Sequence, residues 1–470
     1  MSNPLYKGIQ SPEELRSLVA TVCSLDGDSV ASIIDEEVLK NEFIYTLQFN
    51  ASVNENEEVK HAAQQWIFAI ADAMNITSGS NHEFYLEKQQ GKHQFFTVPA
   101  VNSRMVTFHT IRAALRSAEA LEIPHIIFEL ALSEVGYTGQ QKDEYAALVK
   151  AAYISLGLSE RTVYLQADHY QLDPKKYAED ADAEMKRIQD AITFALEHGV
   201  YNIDIDSSKF ETANSNKTDR ENQAENARLT ATLLHFIRNY ESEHELPCTV
   251  SVGGEVGEVG GENTRYPQVN AYLELIKEEM ERLGSDQFVG LDKVSINVGS
   301  AHGGVLGPDG QPLDSIPLDF TAHHDLYMMA KDPMSEREHV ISVQHGASTL
   351  PKHYFPLFPA MHVAEIHLAT GFQNVVWETL EKKDTQLFET MKSEVMNRCG
   401  EKVAAHETEA IGFMKERKRV TEFFKRDLLL SNSIEAIEQA LENEFAEIFH
   451  SLYTLLLPKR GIQVSEERED

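Results

Sequence analysis

A chain of 470 residues with 42% hydrophobic side chains can bury a large core, which excludes disorder over most of its length. Its formal net charge of −33, from 75 acidic and 42 basic residues, excludes a general affinity for nucleic acid or anionic membranes, although a local basic site could still hold one small anion. Three widely spaced cysteines, without a C-x-x-C pair, exclude a disulfide framework and indicate reduced thiols. The N-terminus lacks an apolar signal-peptide core, and no run of about 18 apolar residues occurs, so we expect a cytoplasmic protein.

Residues 1–93 predict a mainly helical N-terminal extension. SPEELRSLVATVCSL (11–25) has a serine N-cap followed by proline and then a periodic apolar face, which is typical of a helix. HAAQQWIFAIADAMN (61–75) has the same periodicity and predicts a second helix. The polar stretch NASVNENEEVKH (50–61) predicts a loop before it.

From residue 94 to residue 400, short β-rich stretches alternate with amphipathic helical stretches. The predicted strands are 95–102, 124–132, 163–168, 201–206, 248–256, 293–301, 340–346 and 364–370. This alternation predicts an α/β protein with a parallel sheet, and eight strands favour a closed (β/α)₈ barrel over an open doubly wound sheet. Because G-x-G-x-x-G does not follow the first strand, dinucleotide binding has no support.

Residues 401–470 predict a C-terminal helical region with an acidic tail. Just before it, residues 375–400 predict the last barrel helix as a single helix. NSIEAIEQALENEFAEIFHSLYTLLL (432–457) predicts an amphipathic helix whose wide apolar stripe indicates docking or a subunit contact.

Polar residues collect where the predicted strands end, which in a barrel is the rim that carries the active site. They are Asp168 and His169 after strand three, Asp204 and Asp206 after strand four, Glu255, Glu258 and Glu262 after strand five, His302 after strand six, His345 after strand seven, and His367 and Thr370 after strand eight. The strand bodies are apolar, so this rim is the predicted reaction site.

Three of these residues, His169, His302 and His345, predict an open metal site. Three imidazoles that leave one position for substrate are the pattern of a catalytic Zn²⁺, whereas a structural zinc normally includes cysteine, and no strand here ends in one. Glu255 and Asp206 are candidates to fix the imidazole tautomers, with a solvated rim acid as the alternative for Asp206. The other histidines, among them His109, His125, His235 and His339, are expected at the surface or hydrogen-bonded in the core, and the pair His323–His324 is left open.

Small residues after strands seven and eight predict an anion site. Gly346, Ala347, Ser348, Ala369 and Thr370 lie in loops whose backbone N–H groups can point at a phosphate. Tight βα turns are the alternative explanation, and they are the better one for GEVGG alone. The basic cluster KERKR (415–419) is either a solvated helix face or the source of a cation that binds a second phosphate.

Several motifs in order resemble the class II, metal-dependent ketose-bisphosphate aldolases, which include the fructose- and tagatose-bisphosphate enzymes. The motifs are ADH (167–169), VGSAHGG (298–304), VQHGAS (343–348) and EIHLAT (365–370), supported by PAVNSRMVTFHTIRAALRSAEALEIPHII (99–127), DIDSSKF (204–210), ENARLT (225–230) and GGEVGEVGGEN (253–263). The resemblance covers roughly residues 94–400 and leaves both ends of the chain outside it.

The resemblance implies roles for the rim residues. His169, His302 and His345 would bind Zn²⁺ or a related divalent ion, with Glu255 as an alternative or outer contact. Asp168 would exchange the proton of the aldehyde-derived hydroxyl, and Glu262 would take part in enolate protonation. Substrate and phosphate contacts are assigned to Asn102, Gly303, Gly346, Ala347, Ser348, His367, Ala369 and Thr370, with a monovalent cation as a further implied component.

Three departures from the family pattern surround the ketose and its phosphate. His367 stands where the family usually has Asn, and the lysine that commonly follows AHG is absent. HGGSG has become HGAST (345–349). The exact ketose and its C4 stereochemistry therefore stay open.

The expected activity is reversible retro-aldol cleavage of a phosphorylated ketose, in glycolysis or related carbohydrate metabolism, by a homo-oligomer. FELALSEVGYTG (128–139) and LSERTVYLQADH (158–169) also resemble the non-catalytic companion subunit of tagatose-bisphosphate aldolase. Retention of AHGG and QHGAS argues against that alternative. A metal-dependent sugar-phosphate epimerase is a third possibility, which a pair of acids flanking the metal would favour.

Overall fold

The computed structural model describes residues 5–212, 214, 216–257, 262–284, 289–299, 306–310, 313, 316–329 and 339–453. The strands are β1 (Cys23–Asp26), β2 (Ser29–Ile33), β3 (Thr77–Gly79), β4 (Val98–Asn102), β5 (Ile127–Ala131), β6 (Thr162–Gln171), β7 (Asn202–Asp206), β8 (Ser251–Val256), β9 (Lys293–Ile296), β10 (Ser342–Gln344) and β11 (Val363–Leu368). Strands β4 to β11 pair in chain order, all parallel, and β11 pairs with β4. The eight strands therefore close into a (β/α)₈ barrel, as the alternation predicted.

Every residue of β4, β5, β8 and β11 is buried, which explains why the sequences of these strands do not alternate between apolar and polar residues. One face packs into the barrel interior and the other packs under the surrounding helices, so hydrophobic residues need not alternate with polar ones. The pairing of His367 with Ala100 and of Ala131 with Asp168 brings the carboxyl ends of strands at both ends of the sequence to one rim.

Apart from short 3₁₀ and π turns, the helices in the described part of the chain are α-helices. They are α1 (Pro12–Val22), α2 (Glu36–Val38), α3 (Ile44–Val53), α4 (Glu57–Ala73), α5 (His82–Gln89), α6 (Thr107–Ala120), α7 (Glu134–Thr138), α8 (Lys142–Ser155), α9 (Pro174–Glu179), α10 (Ala181–Glu197), α11 (Asp219–Glu243), α12 (Tyr266–Arg282), α13 (Thr321–Met329), α14 (Leu357–Ala360), α15 (Thr370–Lys383), α16 (Thr385–Ala404), α17 (Glu409–Glu416), α18 (Lys425–Leu430) and α19 (Ile434–Tyr453). None of the helices in the described part of the chain is long and apolar enough to cross a membrane.

The predicted loop at 50–61 is wrong, because α3 and α4 occupy almost all of it. The polar side chains there satisfy helix ends and buried backbone groups. Asn50 accepts a hydrogen bond from the Ile9 backbone N–H at 2.9 Å, and Asn56 caps α4 by accepting from the Glu58 N–H at 3.0 Å. The extension also contains the unpredicted β1–β2 hairpin, and its strand β3 pairs with the start of β6.

The stretch 375–400 was predicted as one helix and is two, α15 and α16, separated at Asp384. Asp384 has an extended φ of −141° and accepts a hydrogen bond from the Leu387 N–H at 3.2 Å, so it serves as the N-cap of α16. The predicted domain boundaries at residues 93 and 400 stay predictions.

Helix α19 docks on the barrel, which accounts for its apolar stripe. It packs against α6 and α15, where the rings of Phe445 and Phe372 lie 4.1 Å apart between centroids. Arg112 and Arg116 of α6 make ion pairs with Glu438 at 3.2 and 2.8 Å. This helix therefore covers the seam between the first and the last helix of the barrel.

Candidate active site

Most of the predicted site residues line one cavity of about 1070 Å³ at the carboxyl ends of the barrel strands. These are Asn102, Asp168, His169, Glu255, His345, Gly346, Ser348, His367, Ala369 and Thr370. Ala347 is buried in the turn after β10, and Glu262 is exposed on the loop after β8; neither lines the cavity. The predicted metal ligand His302 and the neighbouring Gly303 lie outside the described residues.

A bulge in β6 explains how two adjacent residues both reach the cavity. Pairing with β7 passes from Ala167↔Ile203 to Tyr170↔Ile205, so β6 has one extra residue at this point. His169 takes the left-handed conformation that the bulge requires, with φ of +43°. Successive strand residues normally point to opposite faces, and the bulge cancels that alternation for Asp168 and His169.

His169 and His345 form the centre of a compact group of imidazoles and carboxylates. The His169 Nδ1 lies 3.2 Å from Asp206 Oδ2 and 3.3 Å from Glu255 Oε2. The two imidazole rings stack with centroids 4.2 Å apart. His345 has Ser295 Oγ at 2.6 Å from Nδ1 and Asp168 Oδ1 at 3.3 Å from Nε2, so both of its ring nitrogens are oriented by the fold.

This donor set fits a divalent transition metal. One ligand atom each from Asp168, His169 and His345 lies within 4.8 Å of the others, and the same holds for His169, Asp206 and Glu255. Imidazole and carboxylate together suit Zn²⁺, Mn²⁺, Co²⁺ or Fe²⁺. The group also buries three carboxylates around two imidazoles, an excess of negative charge that a bound cation would offset.

His367, the predicted substrate contact, has carboxylates at both ring nitrogens. Its Nδ1 lies 2.8 Å from Glu129 Oε2 and 3.3 Å from Asp168 Oδ1, and its Nε2 lies 2.7 Å from Glu365 Oε1. Two acceptors on opposite sides favour the doubly protonated ring, and the pKa of His367 is well above its usual range: burial opposes this, but Glu129 and Asp168 outweigh it. The ring is therefore a fixed positive group in the wall of the cavity.

Below His367, a polar network crosses the barrel interior. Lys293 Nζ lies 2.7 Å from Glu365, 2.8 Å from Gln166 and 3.2 Å from Asp204. Tyr85 donates a hydrogen bond to Glu365. All of these groups except Asp204 are deeply buried, and each one has a partner, which is what a buried charge requires.

Sequence reasoning missed Glu129, Lys293 and Glu365 because none of them lies at the carboxyl end of a strand: Glu129 and Glu365 lie within β5 and β11, and Lys293 begins β9. A signal was present for Glu129 and Glu365, since each is an acidic residue inside a largely apolar stretch. Burial is the main cause that raises the pKa of Glu129 to about 8, with Asp168 adding to it and His367 opposing. Glu129 lines the cavity beside His367.

The acids around His169 differ in pKa. Burial, followed by the charge of Asp206, raises the pKa of Glu255 to about 7. Burial also acts on Asp206, but hydrogen bonds from His169 and Ser208 outweigh it and lower the pKa of Asp206 to about 2. The pKa of Asp168 is likewise held well below its usual range, because the positive charges of His169 and His367 outweigh its burial.

The predicted phosphate loops lie against a second wall of the cavity that includes positive residues. Ser348 Oγ accepts a hydrogen bond from the Gly371 N–H at 3.1 Å, which joins the loops after β10 and β11. Arg104, in the loop after β4, donates to Thr370 Oγ1 at 3.1 Å. Lys418 of the KERKR cluster lines the same cavity, so the cluster is more than a solvated helix face.

The four histidines that were expected at the surface or hydrogen-bonded in the core all make hydrogen bonds through their rings. His109 pairs with the Tyr6 hydroxyl at 2.8 Å, and His125 with Asn81 Oδ1 at 2.5 Å. His235 and His339 contact Asn239 and the Tyr327 carbonyl. His323 is buried against Ser342 and Gln344, and neither it nor His324 lines the cavity.

Several solved structures are similar to this chain. It is similar to the YdjI aldolase of Escherichia coli K12, with 15% identity, coverage of 78% of this chain and 97% of the other, and a TM-score of 0.44. It is similar to a probable tagatose 6 phosphate kinase from Sinorhizobium meliloti 1021, with 15% identity, coverage of 77% and 98%, and a TM-score of 0.52. It is also similar to the fructuronate-tagaturonate epimerase UxaE of Cohnella laeviribosi, with 10% identity, coverage of 83% of this chain and 86% of the other, and a TM-score of 0.54. At these identities the last two similarities show a shared fold.

The sequence profile of one family matches most of the barrel. No curated protein sequence is significantly similar to this chain. The profile described as "Fructose-bisphosphate aldolase class-II" matches residues 83–420. This range includes all eight barrel strands and the whole basic cluster at 415–419. With the barrel, the rim cluster and this match together, the chain belongs to the class II fructose-bisphosphate aldolase family.

Proposed function

We propose that this protein is a divalent-metal-dependent aldolase that reversibly cleaves a phosphorylated ketose, fructose 1,6-bisphosphate or a close analogue, to dihydroxyacetone phosphate and an aldehyde. The observation that carries the proposal is the β6 bulge. It presents Asp168 and His169 side by side to a cavity that also contains His345 and Glu255. A proton-transferring acid next to a metal-binding imidazole is the arrangement that retro-aldol chemistry needs.

His169, His345 and Glu255, together with the predicted ligand His302, would hold the metal ion. When bound, a divalent ion supplies Lewis-acid stabilisation of the negative charge that develops on the ketone oxygen, worth several kcal/mol. Asp206 and Ser295 would fix the orientation of His169 and His345 through the contacts to their Nδ1 atoms.

Asp168 would take the proton from the C4 hydroxyl through its carboxylate. Its low pKa keeps it ionised, and Oδ1 is held 3.3 Å from both His345 Nε2 and His367 Nδ1. In the reverse direction the same oxygen returns the proton to the aldehyde oxygen. Glu262 remains the proposed acid for enolate protonation, and the loops with Gly346, Ser348 and Thr370 would bind the phosphate.

Replacement of Asp168 by alanine tests this assignment. We expect Asp168→Ala to lose at least about 10²-fold in cleavage rate while it keeps its metal content, because a general base contributes 10²–10⁴-fold. Triose phosphate release and metal analysis of the purified protein are the measurements, with Asp190→Ala on the exposed face of α10 as control. Loss of metal together with activity would mean that Asp168 is a ligand and not the base.

A sugar-phosphate epimerase is a second candidate, and the acid pair around His367 favours it. Glu129 and Asp168 both approach His367 Nδ1, at 2.8 and 3.3 Å, so two carboxyl groups lie side by side in the cavity. The structural relative from Cohnella laeviribosi is named as an epimerase, although its identity of 10% supports the fold alone. Analysis of products from fructose and tagatose bisphosphates separates the two: triose phosphate supports cleavage, and the C4 epimer without triose phosphate supports the alternative.

The proposed setting is the cytoplasm, with a small sugar phosphate as the partner molecule and no nucleic acid or membrane. The proposed pathway context is glycolysis or related carbohydrate metabolism. A homo-oligomer, Zn²⁺ as the ion and an assisting monovalent cation complete the proposal. Persistent absence of bound metal after supplementation would leave the companion-subunit alternative.

A further inference from the structure

The predicted phosphate loops carry little positive charge of their own. Gly346, Ser348, Ala369 and Thr370 are neutral, and His367 already faces carboxylates at both ring nitrogens. A phosphate dianion that enters a chain of net charge −33 needs cations nearby. Two cations in the wall of the cavity next to these loops, Arg104 and Lys418, meet this need.

Arg104 is the first of these cations. Its NH1 donates to Thr370 Oγ1 at 3.1 Å, and its Nε donates to Glu134 Oε1 at 2.6 Å. Glu134 is further held by the Asn102 amide at 2.6 Å and the Tyr137 hydroxyl at 3.0 Å. The guanidinium is therefore fixed at the first residue of α15, where the phosphate loops end.

Lys418 is the second cation, and it comes from outside the barrel. Its Nζ lies 5.4 Å from the centroid of the Tyr137 ring, and its side chain is partly buried in the cavity wall. Among the described residues no ion pair involves Lys418, although acidic residues outnumber basic ones in this chain.

The segment that carries Lys418 is firmly anchored. Next to Lys418, Arg417 NH2 donates to Asn374 Oδ1 at 2.6 Å, on the first turns of α15. Lys418 lies in the 3₁₀ helix Arg417–Phe424, in which Val420 and Phe424 are buried. The next residue, Lys425, donates from Nζ to the Gly139 carbonyl at 3.2 Å. Lys418 is therefore held near α15 and Arg104 instead of extending into solvent.

Two buried acceptors in the same cavity also indicate a ligand. Asn102 and Gln373 are 2% and 4% exposed and line the cavity. Their side-chain oxygens, Oδ1 and Oε1, have no hydrogen-bond partner among the described residues. Buried acceptors of this kind need donors, and the hydroxyl groups of a sugar phosphate supply them.

From this arrangement we infer that Arg104 and Lys418 together bind the phosphate of the substrate, so that the 3₁₀ helix Arg417–Phe424 completes the substrate site. The inference rests on the proposed function for the identity of the ligand. Glu134 balances one of the two positive charges, which leaves a net charge for the anion. The pKa of Lys418 is lowered, by burial first and then by the charge of Arg104, which is the repulsion that a bound phosphate would relieve.

Binding of inorganic phosphate to the full-length protein tests the inference without any need for turnover. We expect Lys418→Met to weaken phosphate binding about tenfold or more in calorimetric titrations at constant ionic strength, because the variant loses a charge-assisted hydrogen bond to the anion. Lys418→Arg should restore most of the affinity. Lys402→Met, on the exposed end of α16, changes the net charge equally and should bind as the unmodified protein does.

The outcomes separate this inference from the proposed function. Equal phosphate affinity in the unmodified protein and Lys418→Met, or no phosphate binding in either, would overturn the inference. If phosphate binding weakens in Lys418→Met but no ketose phosphate is cleaved, the anion site stands and the aldolase proposal fails. If cleavage occurs, Lys418→Met should raise KM for the phosphorylated ketose with much less change in kcat.

Discussion

At the scale of single residues, the pair Asp168–His169 was visible in the sequence, but the way in which both reach the cavity was not. Adjacent polar residues at the end of an apolar strand predict a site, whereas strand alternation would turn one of them away. The left-handed φ of His169 and the extra residue in β6 resolve this conflict. No sequence pattern indicates that a histidine adopts this conformation, so the bulge could not have been predicted.

His125 illustrates a residue whose role is structural and whose pH dependence can be measured. Its ring is stacked on Phe84 and tilted against Tyr164, with centroids 4.4 and 4.0 Å away, and burial lowers the pKa of His125 to about 3. Lys88 and His93 lower it further, while Glu365 opposes them. Above pH 6.5 the ring is neutral in both the folded and the unfolded chain. Below pH 6.5 only the unfolded chain takes up the proton, so stability falls as the pH falls towards 3.

We therefore expect His125→Phe, which keeps a ring in the stack, to lose less stability than the unmodified protein between pH 7 and pH 5. The difference should be about 2 kcal/mol, from roughly 1.36 kcal/mol per pH unit below pH 6.5. Urea unfolding at the two pH values measures it, with the exposed His61→Gln on α4 as control. An equal loss in His125→Phe and in the unmodified protein would contradict the assignment.

At the scale of elements, the contact between the two predicted phosphate loops depends on the absence of a side chain at Gly371. A Cβ atom there would lie 2.4 Å from the Ser348 carbonyl oxygen, which is backbone and cannot move aside without shifting the loop. We expect Gly371→Ala to weaken binding of the phosphorylated substrate about tenfold to a hundredfold, since small displacements at a site have effects of that order.

The matched control is Gly400→Ala in α16, where a Cβ atom would meet nothing within 4 Å. This variant should bind substrate normally and be slightly more stable, by about 0.4–1 kcal/mol. KM for the ketose phosphate and thermal unfolding of both variants are the measurements. Unchanged substrate binding in Gly371→Ala would show that the two loops do not form the phosphate site.

Helix α19 shows what periodicity can and cannot predict. The apolar stripe predicted either docking or a subunit contact, and only the structure identifies the surface that it covers, between α6 and α15. Phe445 is fully buried against Phe372, so Phe445→Ala should reduce the free energy of unfolding by about 3–5 kcal/mol. The exposed Gln439→Ala on the same helix should change it little. Similar thermal unfolding of the two variants would mean that α19 is not part of the folding core.

At the scale of the whole molecule, the barrel was predictable because its strands are short, apolar and regularly separated by amphipathic helices. The site residues that were not predicted are those whose contacts depend on segments distant in the sequence. Lys293, Glu365 and Glu129 form a charged layer inside the barrel, and their pairing depends on which strands are neighbours. Lys418 reaches the cavity only because the C-terminal segment folds back on α15.

The same argument explains the errors at the two ends of the chain. Asn56, in the stretch predicted as a loop, and Asp384, in the stretch predicted as one helix, are both helix N-caps. N-caps and loops favour the same polar residues, so composition alone does not distinguish them. Only the tertiary context decides whether such residues begin a helix or interrupt one.

The central claim is that the cluster around His169 and His345 holds a divalent ion that supports cleavage of a phosphorylated ketose. The most direct test is a triose phosphate assay on fructose and tagatose 1,6-bisphosphates, with the protein first stripped by a chelator and then supplied with Zn²⁺, Co²⁺, Mn²⁺ or Fe²⁺. The account predicts that chelation abolishes triose phosphate release and that at least one of these ions restores it with about one ion bound per site. Cleavage that persists in the fully stripped protein, or failure to bind any of the four ions, would contradict it.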